Sequence, residues 1–143
     1  MNPELFASDL LLRLFLALGF GLGGLALYFL YNRFVLARAR DRVSTLGISR
    51  RPGAAVLVYF TTPTCAPCKT IQRPAIRRLQ EQIGDRLQVI EIDASTHPEI
   101  ASQWGVMSVP TTFVIDPHGQ PRHVNHGVAT ADKLLQQIAI SGQ

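Results

Sequence analysis

The chain opens on an apolar block with no polar face. Leu14 to Tyr31 is an unbroken run of apolar residues and glycines, and Leu10-Leu11-Leu12 extends it beyond Arg13. At about 1.5 Å per residue, about 20 such residues cross the roughly 30 Å hydrocarbon layer of a bilayer, so the run predicts one transmembrane helix. Arg13 snorkels at one end, while Tyr28, Tyr31, Asn32 and Arg33 suit the opposite interface. From Asp41 to Gly53 the pattern turns polar and basic and reads as a frayed helix end plus linker. Shorter segments follow: a buried strand at 54–60, a helix from Lys69 to Ile83, an alternating strand at 87–93 and a short helix at 97–104. That helix is read as capped by Ser95 or Thr96 and ended by Gly105, with Pro98 in its first turn. Thr111 to Ile115 is a further strand, Asp116-Pro117-His118-Gly119 a tight turn, and Arg122 to Asn125 the strand after it. A last helix capped by Thr130 buries Leu134, Leu135 and Ile138 on one face. The organisation is therefore an anchor over 1–37, a basic juxtamembrane linker over 38–53 and a folded domain over 54–143.

Composition changes this picture in two places. With 143 residues, 47% hydrophobic and 17% charged, the chain has room for one compact domain beside the anchor. The net charge of +4 is local: five of the fourteen Lys/Arg (Arg13, Arg33, Arg38, Arg40 and Arg42) lie in or beside the apolar run. A nucleic-acid surface is therefore not expected. The same arginines set the orientation. Glu4, Asp9 and Arg13 precede the span, whereas Arg33, Arg38, Arg40, Arg42, Arg50 and Arg51 follow it, which puts the domain in the cytoplasm by the positive-inside rule. The alternative is a domain in the periplasm or another extracytoplasmic space. A cleaved signal peptide also competes, since Ala37-Arg38-Ala39 has the small-x-small pattern, but the start lacks a basic region and the apolar run is too long. Gly19 and Gly23 form a Gly-x-x-x-Gly that suits close helix approach, or simply reflect how common glycine is in membrane helices.

Candidate chemistry is concentrated in Thr64-Cys65-Ala66-Pro67-Cys68-Lys69, which holds both cysteines. Two thiols at that spacing can meet as one disulfide. Cys65 falls where a strand hands over to a helix, and unpaired N–H groups and the positive dipole end there favour thiolate. A zinc site, with His123-x-x-His126 completing four ligands beside the two cysteines, is the other reading of the pair, although those histidines lie far along the chain. Trp104 is read either as a substrate contact or as packing.

The order strand, CxxC, helix, strand, helix, hairpin, helix, with Trp104-Gly105-Val106, Val109-Pro110-Thr111 and Gly127, resembles the thioredoxin family over the last two thirds of the chain. The resemblance implies an α/β thioredoxin-like fold, a central mixed sheet of about four strands flanked by helices, trimmed at its N-terminus because 41–53 matches no first strand and helix. It implies a cis Pro110 facing a redox-active Cys65–Cys68 pair, with Cys65 attacking and Cys68 resolving. Val109, Pro110, Thr111, Thr64, Ala66 and Pro67 are then the substrate-binding residues. Departures from the family pattern are Thr64 for its tryptophan, Ala66 for its glycine and Tyr59 for its buried aspartate, whose lysine partner falls near Val89. Pro74 lies six residues after Cys68 instead of five, frees the Thr70 carbonyl and should kink the helix. The expected activity is that of a membrane-tethered thiol–disulfide oxidoreductase working as a reductant, because no histidine stands between the cysteines to stabilise the reduced form. Extracytoplasmic thiol reduction, in cytochrome c maturation or disulfide repair, and a non-catalytic tethered adaptor are the alternatives. The implied partners are protein disulfides, an upstream electron donor such as a thioredoxin reductase or a membrane thiol carrier, and lipid. No cofactor beyond the disulfide, and no metal, is expected.

Overall fold

The computed structural model describes residues 3–43 and 51–142. Contacts divide the chain into two compact units, Met1–Phe34 and Val35–Gln143. The first consists of most of a single helix, α1 (Pro3–Val43). Its large side chains stand exposed, Phe20 at 81% and Phe15 at 70%, which suits an apolar surrounding rather than water. By length and composition Leu11–Arg40 is a candidate membrane span.

The second unit is built on β1 (Ala55–Thr61), whose every residue is buried. A strand that is apolar at successive positions must be covered on both faces, and β1 is one of the two interior strands of the sheet. It pairs in parallel with β2 (Leu87–Asp93) and antiparallel with β3 (Thr111–Ile115), which in turn pairs antiparallel with β4 (Pro121–His126). The order β2-β1-β3-β4 makes the expected mixed sheet of four strands. One face carries Ala55, Leu57 and Tyr59, packed with Ile76 and Leu79 of α2 (Arg73–Ile83) and Leu134 of α4 (Ala131–Ser141). The Thr130 hydroxyl caps α4 by accepting the Lys133 N–H at 3.3 Å.

On the other face Phe60, Phe113 and Trp104 form a ring cluster with centroids 5.0 to 5.9 Å apart. Trp104 follows α3 (Pro98–Gln103) and is 1% exposed, so its role is packing. Ser95 and Thr96 do not cap α3. They turn back on Asp93, Ser95 through its N–H and hydroxyl to the carboxylate and Thr96 through its hydroxyl to the carbonyl. These Ser95 bonds hold the Asp93 carboxyl below its ordinary range.

The segment expected as a linker differs in part. Helix α1 continues to Val43, and Val35 and Ala39, one turn apart, are buried within the second unit. Val35 lies beside Gly105, within 3.6 Å of where a side chain there would begin. Val35 and Ala39 read as part of the apolar run because a helix face is apolar whether lipid or protein meets it. The rest of that segment up to Arg50 lies outside the described residues.

The β3–β4 turn is held by Asp116, 1% exposed, which accepts the Gln120 N–H at 2.8 Å and Arg122 Nε at 2.7 Å. Burial pushes its carboxyl up, but the donors from Gln120 and Arg122 outweigh this and hold it below the ordinary range. A depressed carboxyl adds stability above its unfolded pKa and loses it as pH falls through the folded value. Asp116→Asn is therefore expected to cost about 2 kcal/mol at pH 7. Urea melts at pH 7 and pH 3 check this, since the gap between parent and variant should shrink at the lower pH.

Candidate active site

Where β1 ends, the chain makes a turn closed by the Cys65 N–H on the Thr62 carbonyl, and the helix begins at Ala66. Cys65 and Cys68 are joined as a disulfide with Cα atoms 5.3 Å apart. Cys65 Sγ accepts the Cys68 N–H at 3.2 Å, the kind of donor expected of a helix N-terminus. In the reduced protein that donor favours thiolate at Cys65. Cys65 sits at 9% exposure, at the rim, whereas Cys68 is fully buried. Thr64, Ala66, Pro67 and Lys69 are exposed around them.

The helix then departs from regular α geometry. Cys68–Gln72 forms a π-turn in which the Arg73 N–H donates to the Cys68 carbonyl, five residues back. A π-turn is how a helix absorbs one extra residue, which accounts for Pro74 falling six residues after Cys68. The irregularity thus lies just before Pro74 rather than as a kink at it.

Beneath the turn, the Tyr59 hydroxyl donates to the same carbonyl at 3.3 Å. Burial first, and the Glu91 carboxylate opposite it on β2, push the Tyr59 phenol up against the opposing pull of Thr61 and Arg73. The phenol therefore keeps its proton at neutral pH, so Tyr59 is a donor and not a proton acceptor for Cys68. Arg73 bridges to Glu91 at 2.6 Å beside a small cavity of about 150 Å³ that Tyr59 and Val89 also line.

The Val109–Pro110 peptide is cis. Val109 packs on the buried cluster that contains Cys65 and Cys68. Pro110 and Thr111 are buried, and the Thr111 hydroxyl donates to the Ser108 carbonyl at 2.7 Å. The Pro110 carbonyl accepts the Gly127 N–H at 2.8 Å, tying the loop before α4 to this edge. His123 and His126 lie on β4, and burial pushes both imidazoles down. Among the described residues no group of His, Cys, Asp and Glu is placed to hold a metal ion.

One pair escaped the sequence reading: Gln72 and Ala129. The Gln72 amide donates to the Ala129 carbonyl at 3.1 Å and accepts the Ala129 N–H at 2.8 Å, and both residues are buried. The signal was present, since a glutamine interrupts the inward stripe Cys68, Gln72, Ile76, Leu79.

The thioredoxin sequence family matches residues 48–140. The chain belongs to the thioredoxin family. A thioredoxin-like protein of Synechocystis is 35% identical over 85 residues, covering 59% of this chain and 79% of that protein. The chloroplastic thioredoxin Y of rice is 36% identical over 83 residues, 58% of this chain and 48% of that protein. The chain thus spans about half the length of the rice relative. Thioredoxin of Bacillus subtilis is 42% identical over 60 residues, 42% of this chain and 57% of its own. Among solved structures, a mutant thioredoxin from Halobacterium salinarum superposes with a TM-score of 0.56 at 27% identity, covering 64% of this chain and 77% of that one. The Cys65–Cys68 disulfide, in the turn between β1 and the helix, falls within the residues matched by that family.

Proposed function

We propose that the chain is a membrane-tethered reductant of protein disulfides, with residues 1–37 as anchor, 38–53 as juxtamembrane segment and 54–143 as the catalytic domain. The observation that carries the reading is the asymmetry of the pair: Cys65 at the rim with the Cys68 N–H on its sulfur, and Cys68 buried behind it. The Cys65 thiolate attacks one sulfur of a substrate disulfide, forms a mixed disulfide and expels the other substrate sulfur as thiolate. Cys68 then gives up its proton and attacks Cys65 Sγ. This closes Cys65–Cys68 and releases the second substrate thiol, so two electrons and two protons end on the substrate. A dithiol donor, either a reductase or a membrane thiol carrier, must then reopen the pair. Val109, Pro110 and Thr111, together with Thr64, Ala66 and Pro67, bind the substrate, and Val109 offers backbone groups for an extended segment.

The arginines after the span support a cytoplasmic domain. A thiol reagent that cannot cross membranes, applied to intact cells and then to lysed cells, tests this. Labelling of Cys65 only after lysis is the expected outcome, and labelling beforehand places the domain outside and supports extracytoplasmic reduction instead. Purified full chain in detergent should reduce insulin disulfides with dithiothreitol as donor. No acceleration over donor alone would favour the adaptor reading.

A further inference from the structure

Gln72 stands where the helix presents its apolar stripe, fully buried between Cys68 and Ile76. A buried carboxamide without partners costs free energy, and this one meets both its needs on a single residue of another element. Its amide N donates to the Ala129 carbonyl and its oxygen accepts the Ala129 N–H, as two paired strands do. Ala129 lies in the loop between β4 and α4, and two residues earlier the Gly127 N–H is bound to the Pro110 carbonyl. The loop is therefore pinned twice, to the redox helix through Gln72 and to the cis-proline edge through Gly127. Between the pins Val128 is 40% exposed, while Ala129 packs in the same cluster as Cys65 and Cys68.

We propose that Gln72 is a positioning residue that sets the loop 127–130 as one wall of the protein-substrate site, acting on substrate affinity rather than on thiol chemistry. The inference rests on the oxidoreductase reading. The π-turn is what carries Gln72 in place: it begins at Cys68 and ends at Gln72, so the resolving cysteine and the clamp belong to one turn of backbone.

Two variants of the full chain test this. Gln72→Met fills the same space and removes both bonds, and Gln72→Glu keeps an acceptor for the Ala129 N–H while losing the donor to its carbonyl. Trp104 fluorescence, from the sole tryptophan, reports which variants are folded. In a folded variant, KM for insulin is expected to rise about tenfold while kcat stays close to the parent's, the equivalent of about 1.4 kcal/mol of binding. Hydrogen exchange in the peptide spanning Gly127–Thr130 should speed up in parallel, more in Gln72→Met than in Gln72→Glu. An unchanged KM, or a fall in kcat with KM held, overturns the inference, as does unchanged exchange. If the parent itself reduces no insulin, the oxidoreductase reading fails first, and that result is read before either variant is made.

Discussion

Cys68→Ser is expected to hold a substrate on Cys65 as a stable mixed disulfide, visible as a shifted band on a non-reducing gel that dithiothreitol collapses. Cys65→Ser should capture nothing. The difference follows from geometry: Cys65 is at the rim and carries the Cys68 backbone N–H on its sulfur, so it is the thiol a disulfide can reach and the one held as thiolate. Cys68 is fully buried, and its accessible target is Cys65 Sγ. Serine keeps the backbone donor at 68 and removes only the resolving sulfur, so the first step proceeds and the second stops. Insulin reduction should fall in both variants by on the order of a thousandfold or more. A Cys65→Ser protein that reduces insulin as fast as the parent would sink the enzymatic reading. Equal trapping by both variants would reverse the assignment of attacker and resolver.

Val35→Asp is expected to unfold the redox domain more readily than any surface change. Val35 and Ala39 are 1% and 0% exposed and occupy one helix face within the same compact unit as the sheet. Burying a valine contributes about 1.5–3 kcal/mol, and a carboxylate placed there must be desolvated or protonated. The loss is set at about 3 kcal/mol or more. Urea titration of the full chain in detergent, followed by Trp104 fluorescence, measures it. Ala37→Asp, at an exposed position of the same helix, should stay within about 0.5 kcal/mol of the parent. Equal effects at 35 and 37 would mean that the end of α1 does not support the domain.

The strands were legible because β1 to β3 are short, β-branched and bounded by turn residues, and β4 follows a four-residue turn signal. β1 shows this most clearly: Ala55 to Thr61 is apolar at nearly every position, which only a central strand covered on both faces requires. The cysteine pair was legible from its spacing and its place between strand and helix. In the sequence Tyr59 stands out only as the lack of an acid. That its hydroxyl would reach the Cys68 carbonyl depends on strand and helix meeting, which no local pattern encodes. The expected caps of α3 went to Asp93 instead, since Ser and Thr hydroxyls take whichever local acceptor the turn brings near.

The apolar run, the order of elements and the cysteine pair were legible in the sequence itself, because all of these are written in composition and short-range spacing. The tertiary structure alone decided which apolar residues of α1 face protein, how the extra residue before Pro74 is absorbed as a π-turn, and that Gln72 reaches Ala129, 57 positions away. The first and the last are contacts between segments distant in sequence, and the π-turn is a local choice that the packing of its helix selects. Periodicity reports which face of an element is apolar or polar, but not what that face will meet.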